Sequence, residues 1–114
     1  MKKENLLIVI TTENAESIMK FPLLYGGVSL PREYWKRVHI IFWGPSIKTL
    51  KSNGTIQSTV QNIQRDGVEF SACVICAEDY DAVRDLEDMG VICNHTGELL
   101  TLALKYDSWS VLTV

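Results

Sequence analysis

The feature that most constrains the fold is the alternation of short apolar runs with helix-like segments. Residues 6–10 and 38–43 are largely apolar, rich in β-branched side chains and free of a polar–apolar alternation. Such runs are typical of strands that are covered on both faces of a sheet. Three further strands are predicted at residues 68–73, 91–93 and 109–114.

Helices are predicted between these strands, in an order that alternates with them. The predicted helices occupy residues 15–19, the segments that follow Ser46 and Gly54, and residues 79–89 and 98–105. Ser46 and Thr96 are the predicted capping residues of the helices that follow them. Strands separated by helices form parallel sheets, with helices on both faces. The chain is therefore predicted to be one α/β domain, residues 1–114. We expect a three-layer α/β/α sandwich with a five-stranded, mostly parallel sheet.

Residues 21–34 are predicted to have a less regular secondary structure than the rest of the chain. They are apolar, but Pro22, the Gly26–Gly27 pair and Pro31 interrupt any continuous helix. A second helical piece or a loop fits this stretch. Together with Trp35, its apolar side chains exceed what a small core needs, which indicates an oligomer interface.

Composition and charge exclude several classes of function. The 114 residues carry a formal net charge of −3, which gives no basic surface for nucleic acid or for an anionic membrane. The apolar run at residues 6–10 is too short for a signal peptide or a membrane span. Three cysteines without a secretory signal indicate reduced thiols in the cytoplasm. Phosphate-binding glycine loops and zinc-protease or hydrolase motifs are absent from the sequence, and we expect no cofactor.

Groups capable of chemistry are predicted at one edge of the sheet. The carboxyl ends of parallel strands share an edge, where ligands and catalytic groups collect. The segments that follow the predicted strands bring four candidate pocket-lining residues to this edge: Glu13, Trp43, Ser46 and His95. His39 lies within a strand, and a hydrogen-bonded core histidine is the better interpretation there.

Cys73 and Cys76 form a C-x-x-C pair where a strand meets a helix, and they are the candidate catalytic residues. A thiol beside a helix N-terminus can become an exposed, acidified nucleophile. Two buried cysteines acting as small apolar residues are the structural alternative. A zinc site formed with Cys93 and His95 is a further alternative, although this spacing is not typical of zinc ligands.

Three segments resemble the DsrE/DsrF-like family, which includes YchN-type proteins and TusD-type sulfur-relay subunits. They are residues 38–46, the segment 67–76 with its strand and paired cysteines, and residues 89–91. The resemblance covers nearly the whole chain and implies an α/β/α sandwich that assembles into dimers, trimers or hexamers. It also implies a persulfide on a cysteine after the third strand, which corresponds to Cys73, with Cys76 matching a second cysteine of some members.

The sequence departs from this resemblance after Cys76. Relay members continue with a short basic turn, whereas this chain has three carboxylates within residues 77–81. Carboxylates at the start of a helix would raise the pKa of a nearby thiol.

Two functions follow as predictions, and the sequence leaves open whether the protein is an enzyme. The first is a persulfide carrier or thiol-redox protein that uses Cys73, assisted by Cys76, with His95 and Trp43 lining the pocket. It would be a homo-oligomer that exchanges sulfur with a relay protein. The alternative is a non-catalytic oligomeric binding or assembly module with structural cysteines.

Overall fold

The computed structural model describes residues 3–114 and contains one five-stranded sheet. Every pairing in the sheet is parallel, and the strand order is β4-β3-β2-β1-β5. This confirms the predicted α/β/α fold. The strands are β1 (Asn5–Ile10), β2 (Arg37–Phe42), β3 (Glu69–Cys73), β4 (Ile92–Asn94) and β5 (Trp109–Thr113).

Helices cover the two faces of the sheet unequally. Within residues 3–114, six helices and a π-helical segment pack on one face, and α7 packs alone on the other. The order is α1 (Ala15–Ile18), the π-helical segment (Met19–Leu23), α2 (Leu24–Ser29), α3 (Ser46–Ser52), α4 (Gly54–Arg65), α5 (Val74–Asp79), α6 (Val83–Asp88) and α7 (Thr96–Lys105). The main core lies beneath the six helices, and a smaller apolar cluster lies beneath α7.

The chain stays helical through Pro22 and the glycine pair, where interruptions were predicted. Pro22 lies inside the π-helical segment, whose wider turn accommodates a residue without an N–H group. Gly26 lies within α2, and a Cβ atom there would come within 2.9 Å of Ile40 Cδ1. This glycine therefore permits α2 to approach the sheet closely, so its role here is packing rather than helix termination.

The predicted helix at residues 79–89 is replaced by α5 and α6. Asp81 ends α5 in a left-handed conformation (φ 53°), with the Asp81 N–H donating to Glu78 O and the Ala82 N–H to Ala77 O. This is a Schellman ending, in which aspartate tolerates the position that glycine usually takes. The acidic residues therefore lie at the end of a helix, and the prediction that they begin one is wrong.

Ser46 ties the ends of the two central strands to α3. Its fully buried hydroxyl lies 2.7 Å from Ile10 O and 3.0 Å from Trp43 O, and it accepts the Trp43 N–H at 3.1 Å. The predicted capping role is not observed, because Pro45 precedes the helix as its N-cap and Ser46 is its first residue. The hydroxyl instead fixes the turn that carries Trp43.

His39 lies half-buried in β2, on the face that α7 covers. Its Nε2 atom is 2.8 Å from Ser71 Oγ on the neighbouring strand. Burial lowers the pKa of His39, the nearby Glu69 carboxylate raises it, and Arg37 lowers it. The interpretation of His39 as a hydrogen-bonded core histidine agrees with this contact.

Within residues 3–114, every helix is too short or too polar to cross a lipid bilayer.

Replacing Ser46 with alanine should lower the free energy of unfolding by about 1 to 2 kcal/mol, because buried backbone groups lose a hydrogen-bond partner. Urea denaturation measures this change. Ser52→Ala is the matched control, since the exposed Ser52 hydroxyl bonds only Lys48 O within the same helix. That variant should stay within about 0.5 kcal/mol of the parent. Equal losses in both variants would contradict the role given to Ser46.

The lowered pKa of His39 predicts that acid weakens the fold. Below the unfolded value of 6.5, and down to the folded pKa, the unfolded chain binds more protons than the folded chain. The free energy of unfolding should therefore fall as the pH drops through this window. Urea denaturation as a function of pH measures the slope, which should become smaller in His39→Gln. An unchanged slope in that variant would contradict the prediction.

Candidate functional site

An open cleft lies at the carboxyl edge of the sheet, beside the N-terminus of α7. Its volume is about 890 Å³, within the range of small-molecule sites. The residues that line it include Trp43, Cys73, His95 and Thr96, with Ile75 and Leu102 at its mouth. Three residues from the predicted chemical edge, Trp43, Cys73 and His95, therefore lie together in one cleft.

Cys73 is the last residue of β3 and the N-cap of α5. Its side chain is on the face of the sheet that α7 covers, because the neighbouring residue Ala72 belongs to the core of the other face. Cys73 is only 8% exposed, and the cleft is the space that its side chain borders. A reagent therefore reaches this thiol through the cleft.

Cys76 lies in α5 and is partly buried against the main core. Burial raises the pKa of the Cys76 thiol, and so do the neighbouring Cys73 thiol and the Asp79 carboxylate. The Gly44 backbone N–H acts in the opposite direction and lowers it. Cys76 is therefore close enough to interact with Cys73, but it is a weak nucleophile near neutral pH.

Cys93 belongs to the other face of the sheet. It pairs with Ala72 across β3 and β4 and packs against the main core. Burial raises the pKa of Cys93 to about 11, with smaller contributions from Glu87 and Cys73. All three cysteines are free thiols, and of the three only Cys73 lines the cleft.

Trp43 stands between the end of β2 and the start of α7. The tip of its ring, Cη2, is 4.0 Å from the position that a Cβ atom on Gly97 would take. The Trp43 N–H bonds Ile10 O at 2.9 Å, so the backbone that carries the ring is held by the sheet. His95 is exposed and forms the N-cap of α7 without capping it through its side chain.

Glu13 and Ser46, the other two candidate pocket-lining residues, are not among the residues that line the cleft. Glu13 is exposed and pairs with Lys48 at 3.0 Å. Its carboxylate raises the pKa of the Lys48 ammonium group. Ser46 is fully buried. The structure therefore does not bring either residue together with Trp43, Cys73 and His95 in the cleft.

The zinc alternative has no geometric basis in the part of the chain that the structure describes. Within residues 3–114, no three histidine, cysteine or acidic side chains are grouped closely enough to hold a metal ion. Cys93 pairs with Ala72 and shares its face of the sheet. Cys73 follows Ala72 in β3 and therefore points to the opposite face, so the two cysteines are on different faces.

Thr96 is a site residue that the sequence did not single out for ligand binding. It was predicted to cap the last helix, but it is the first residue of α7. Thr96 is only 1% exposed, and its hydroxyl has no hydrogen-bond partner. A threonine–glycine pair at a helix start, next to a predicted chemical edge, was the available signal.

The solved structures that are similar to this chain include a protein from Bacteroides thetaiotaomicron and a protein from E. coli. A conserved protein of unknown function from Bacteroides thetaiotaomicron, BT1422, superposes with a TM-score of 0.91 at 26% identity, covering 97% of this chain and 95% of that one. The ychN protein from E. coli superposes with a TM-score of 0.72 at 18% identity, covering 100% of both chains. No protein-family model and no curated protein matches the sequence. The chain therefore shares its fold with both proteins over nearly its whole length.

Proposed function

We propose that the protein is a DsrE-like sulfur carrier that holds sulfane sulfur as a persulfide on Cys73. The observation that carries the proposal is that Cys73 alone among the three cysteines lines the cleft. The fold supports the proposal, because the chain shares its fold with ychN. YchN-type proteins belong to the DsrE/DsrF-like family that the sequence resembles. The strand-end position of Cys73 also matches the cysteine of relay proteins in that family.

The surroundings of the three thiols favour Cys73 as the acceptor of sulfur. The raised pKa values of Cys76 and Cys93 leave few thiolates at those positions near neutral pH. Cys73 is only 8% exposed, and Ile75 and Leu102 add apolar lining to the cleft beside it. A persulfide on Cys73 would therefore be partly shielded, as a carried group requires.

Cys76 can release the sulfur without a redox cofactor. In this step the Cys76 sulfur attacks the inner sulfur of the Cys73 persulfide and forms a Cys73–Cys76 disulfide. The S–S bond of the persulfide breaks, and its electron pair and the Cys76 proton leave with the outer sulfur as hydrosulfide. Transfer to a relay protein is the alternative route, with a thiolate of that partner attacking the outer sulfur.

Three free thiols are chemically suited to a reducing compartment. We accordingly place the protein in the cytoplasm.

Cys73→Ser should abolish persulfide loading when the protein is treated with polysulfide near neutral pH. Intact-mass spectrometry should show one added sulfur atom on the parent, and peptide mapping should locate it at Cys73. Cys93→Ser is the matched control, because about one Cys93 thiol in a thousand is ionised at pH 8 when its pKa is about 11. That variant should load as the parent does. Loading that survives in Cys73→Ser would refute the proposal.

We also propose that the protein forms a homo-oligomer through its β5 edge. β5 is an edge strand whose residues are all uncharged, so its free backbone groups are available to pair with a second copy. A shallow apolar pocket lined by Phe21, Tyr25 and Trp35 adjoins the strand. Leu24 and Tyr34 add exposed apolar surface from the same part of the chain. These residues include the stretch in which the sequence predicted an interface.

Phe21→Glu should shift the protein toward monomers, because it places a charge in the apolar part of the proposed interface. Sedimentation velocity over a range of protein concentrations measures the change. Leu104→Glu is the matched control, since Leu104 is 66% exposed on α7 and is not one of the residues that line the pocket beside β5. Dissociation caused by Leu104→Glu and not by Phe21→Glu would place the interface on α7 and contradict the proposal.

A further inference from the structure

The N-terminus of α7 presents unused hydrogen-bond donors to the cleft. The N–H groups of Thr96 and Gly97, at the first two positions of this ten-residue helix, have no acceptor within the helix. No side chain caps this end either. The next N–H, from Glu98, bonds His95 O at 3.1 Å. Free N–H groups at the positive end of a helix dipole favour an anion.

The buried hydroxyl of Thr96 independently indicates a ligand at the same place. Thr96 is 1% exposed, belongs to the wall of the cleft and has no hydrogen-bond partner for its hydroxyl. A buried polar group without a partner is costly. Within residues 3–114, this hydroxyl is the only buried side-chain oxygen or nitrogen atom without a partner. A ligand in the cleft would supply the missing contact.

We propose that Thr96 and Gly97 form an anion subsite beside Cys73, and that the sulfur donor of this protein is a small sulfur oxyanion of the thiosulfate class. The inference rests on the proposed persulfide chemistry of Cys73. Thiosulfate fits both features of the cleft, because its anionic oxygens lie next to the sulfane sulfur that Cys73 would attack. The Trp43 ring lines the cleft and packs beside Gly97.

The transfer step balances without an added oxidant or reductant. The Cys73 thiolate attacks the outer, sulfane sulfur of thiosulfate and forms a new S–S bond. The original S–S bond of thiosulfate breaks, and its electron pair leaves with sulfite. The Thr96 hydroxyl and the Gly97 N–H hold the sulfonate oxygens before the step and the departing sulfite after it. The total charge is unchanged, and Cys73 ends as an ionised persulfide.

The subsite can be tested without turnover by titrating thiosulfate into the Cys73→Ser protein. Amide chemical shifts in NMR should place the anion at Thr96 and Gly97 and give its dissociation constant. Adding Thr96→Val should weaken binding about tenfold or more, as expected for a lost hydrogen bond to a charged group. The same change should leave the melting temperature unaltered or raised, because it removes an unpartnered buried hydroxyl.

Thr59→Val is the matched control on α4, outside the cleft. The Thr59 hydroxyl donates to Thr55 O at 2.9 Å, so its loss should leave thiosulfate binding unchanged. Equal weakening by both threonine changes, or the absence of thiosulfate binding, would overturn the inference.

The loading reaction separates this inference from the proposed function. In the protein that retains Cys73, Thr96→Val should slow loading from thiosulfate about tenfold and leave alkylation of Cys73 by uncharged iodoacetamide unchanged. Loading from polysulfide but not from thiosulfate would overturn the inference and leave the carrier function standing. If neither donor loads Cys73, the carrier function is overturned. The titration of Cys73→Ser with thiosulfate then still shows whether the anion binds at Thr96 and Gly97.

Discussion

The return of the chain from β4 to β5 is the constraint on which the site depends. Three successive crossovers, from β1 to β4, move in one direction across the sheet. Because crossovers between parallel strands are right-handed, their helices lie on one face. The last crossover spans the sheet in the opposite direction and leaves α7 alone on the second face. One helix cannot cover a five-stranded sheet, so a cleft remains beside it.

This arrangement determines the chemical character of each thiol. Cys73 lies on the partly covered face and borders the cleft, whereas Cys93 lies one strand away on the fully covered face. Burial of Cys93 and Cys76 raises the pKa of each thiol, and neither is one of the cleft-lining residues. The same helix, α7, also brings its uncapped N-terminus to the cleft that Cys73 borders. The thiol and the proposed anion subsite therefore share one cleft as a consequence of the topology.

The rigid part of the site is held by backbone contacts rather than by the residues that would react. Ser46 fixes the turn before α3, and the Trp43 N–H bonds the end of β1. These contacts hold the carboxyl ends of β1 and β2 in place, while the cleft stays open beside α7. Such an arrangement lets a ligand exchange through the cleft without disturbing the core, which suits the proposed role of a sulfur carrier.

The sequence by itself determined the elements and the edge at which chemistry collects. Apolar runs identified the five strands, and their alternation with helical segments identified a parallel sheet that brings Trp43, Cys73 and His95 to one edge. These inferences succeed because strand periodicity and helix spacing are local properties of the chain.

Only the tertiary structure decided which face each side chain occupies and which polar groups stay unpaired. It separated Cys93 from Cys73, placed Glu13 and Ser46 outside the cleft, and left the Thr96 hydroxyl without a partner. At Gly26, where a helix break was expected, the structure has a continuous helix that packs closely against the sheet. These outcomes depend on strand register and on crossover direction. Both are set by contacts between residues far apart in sequence, where local patterns carry no information.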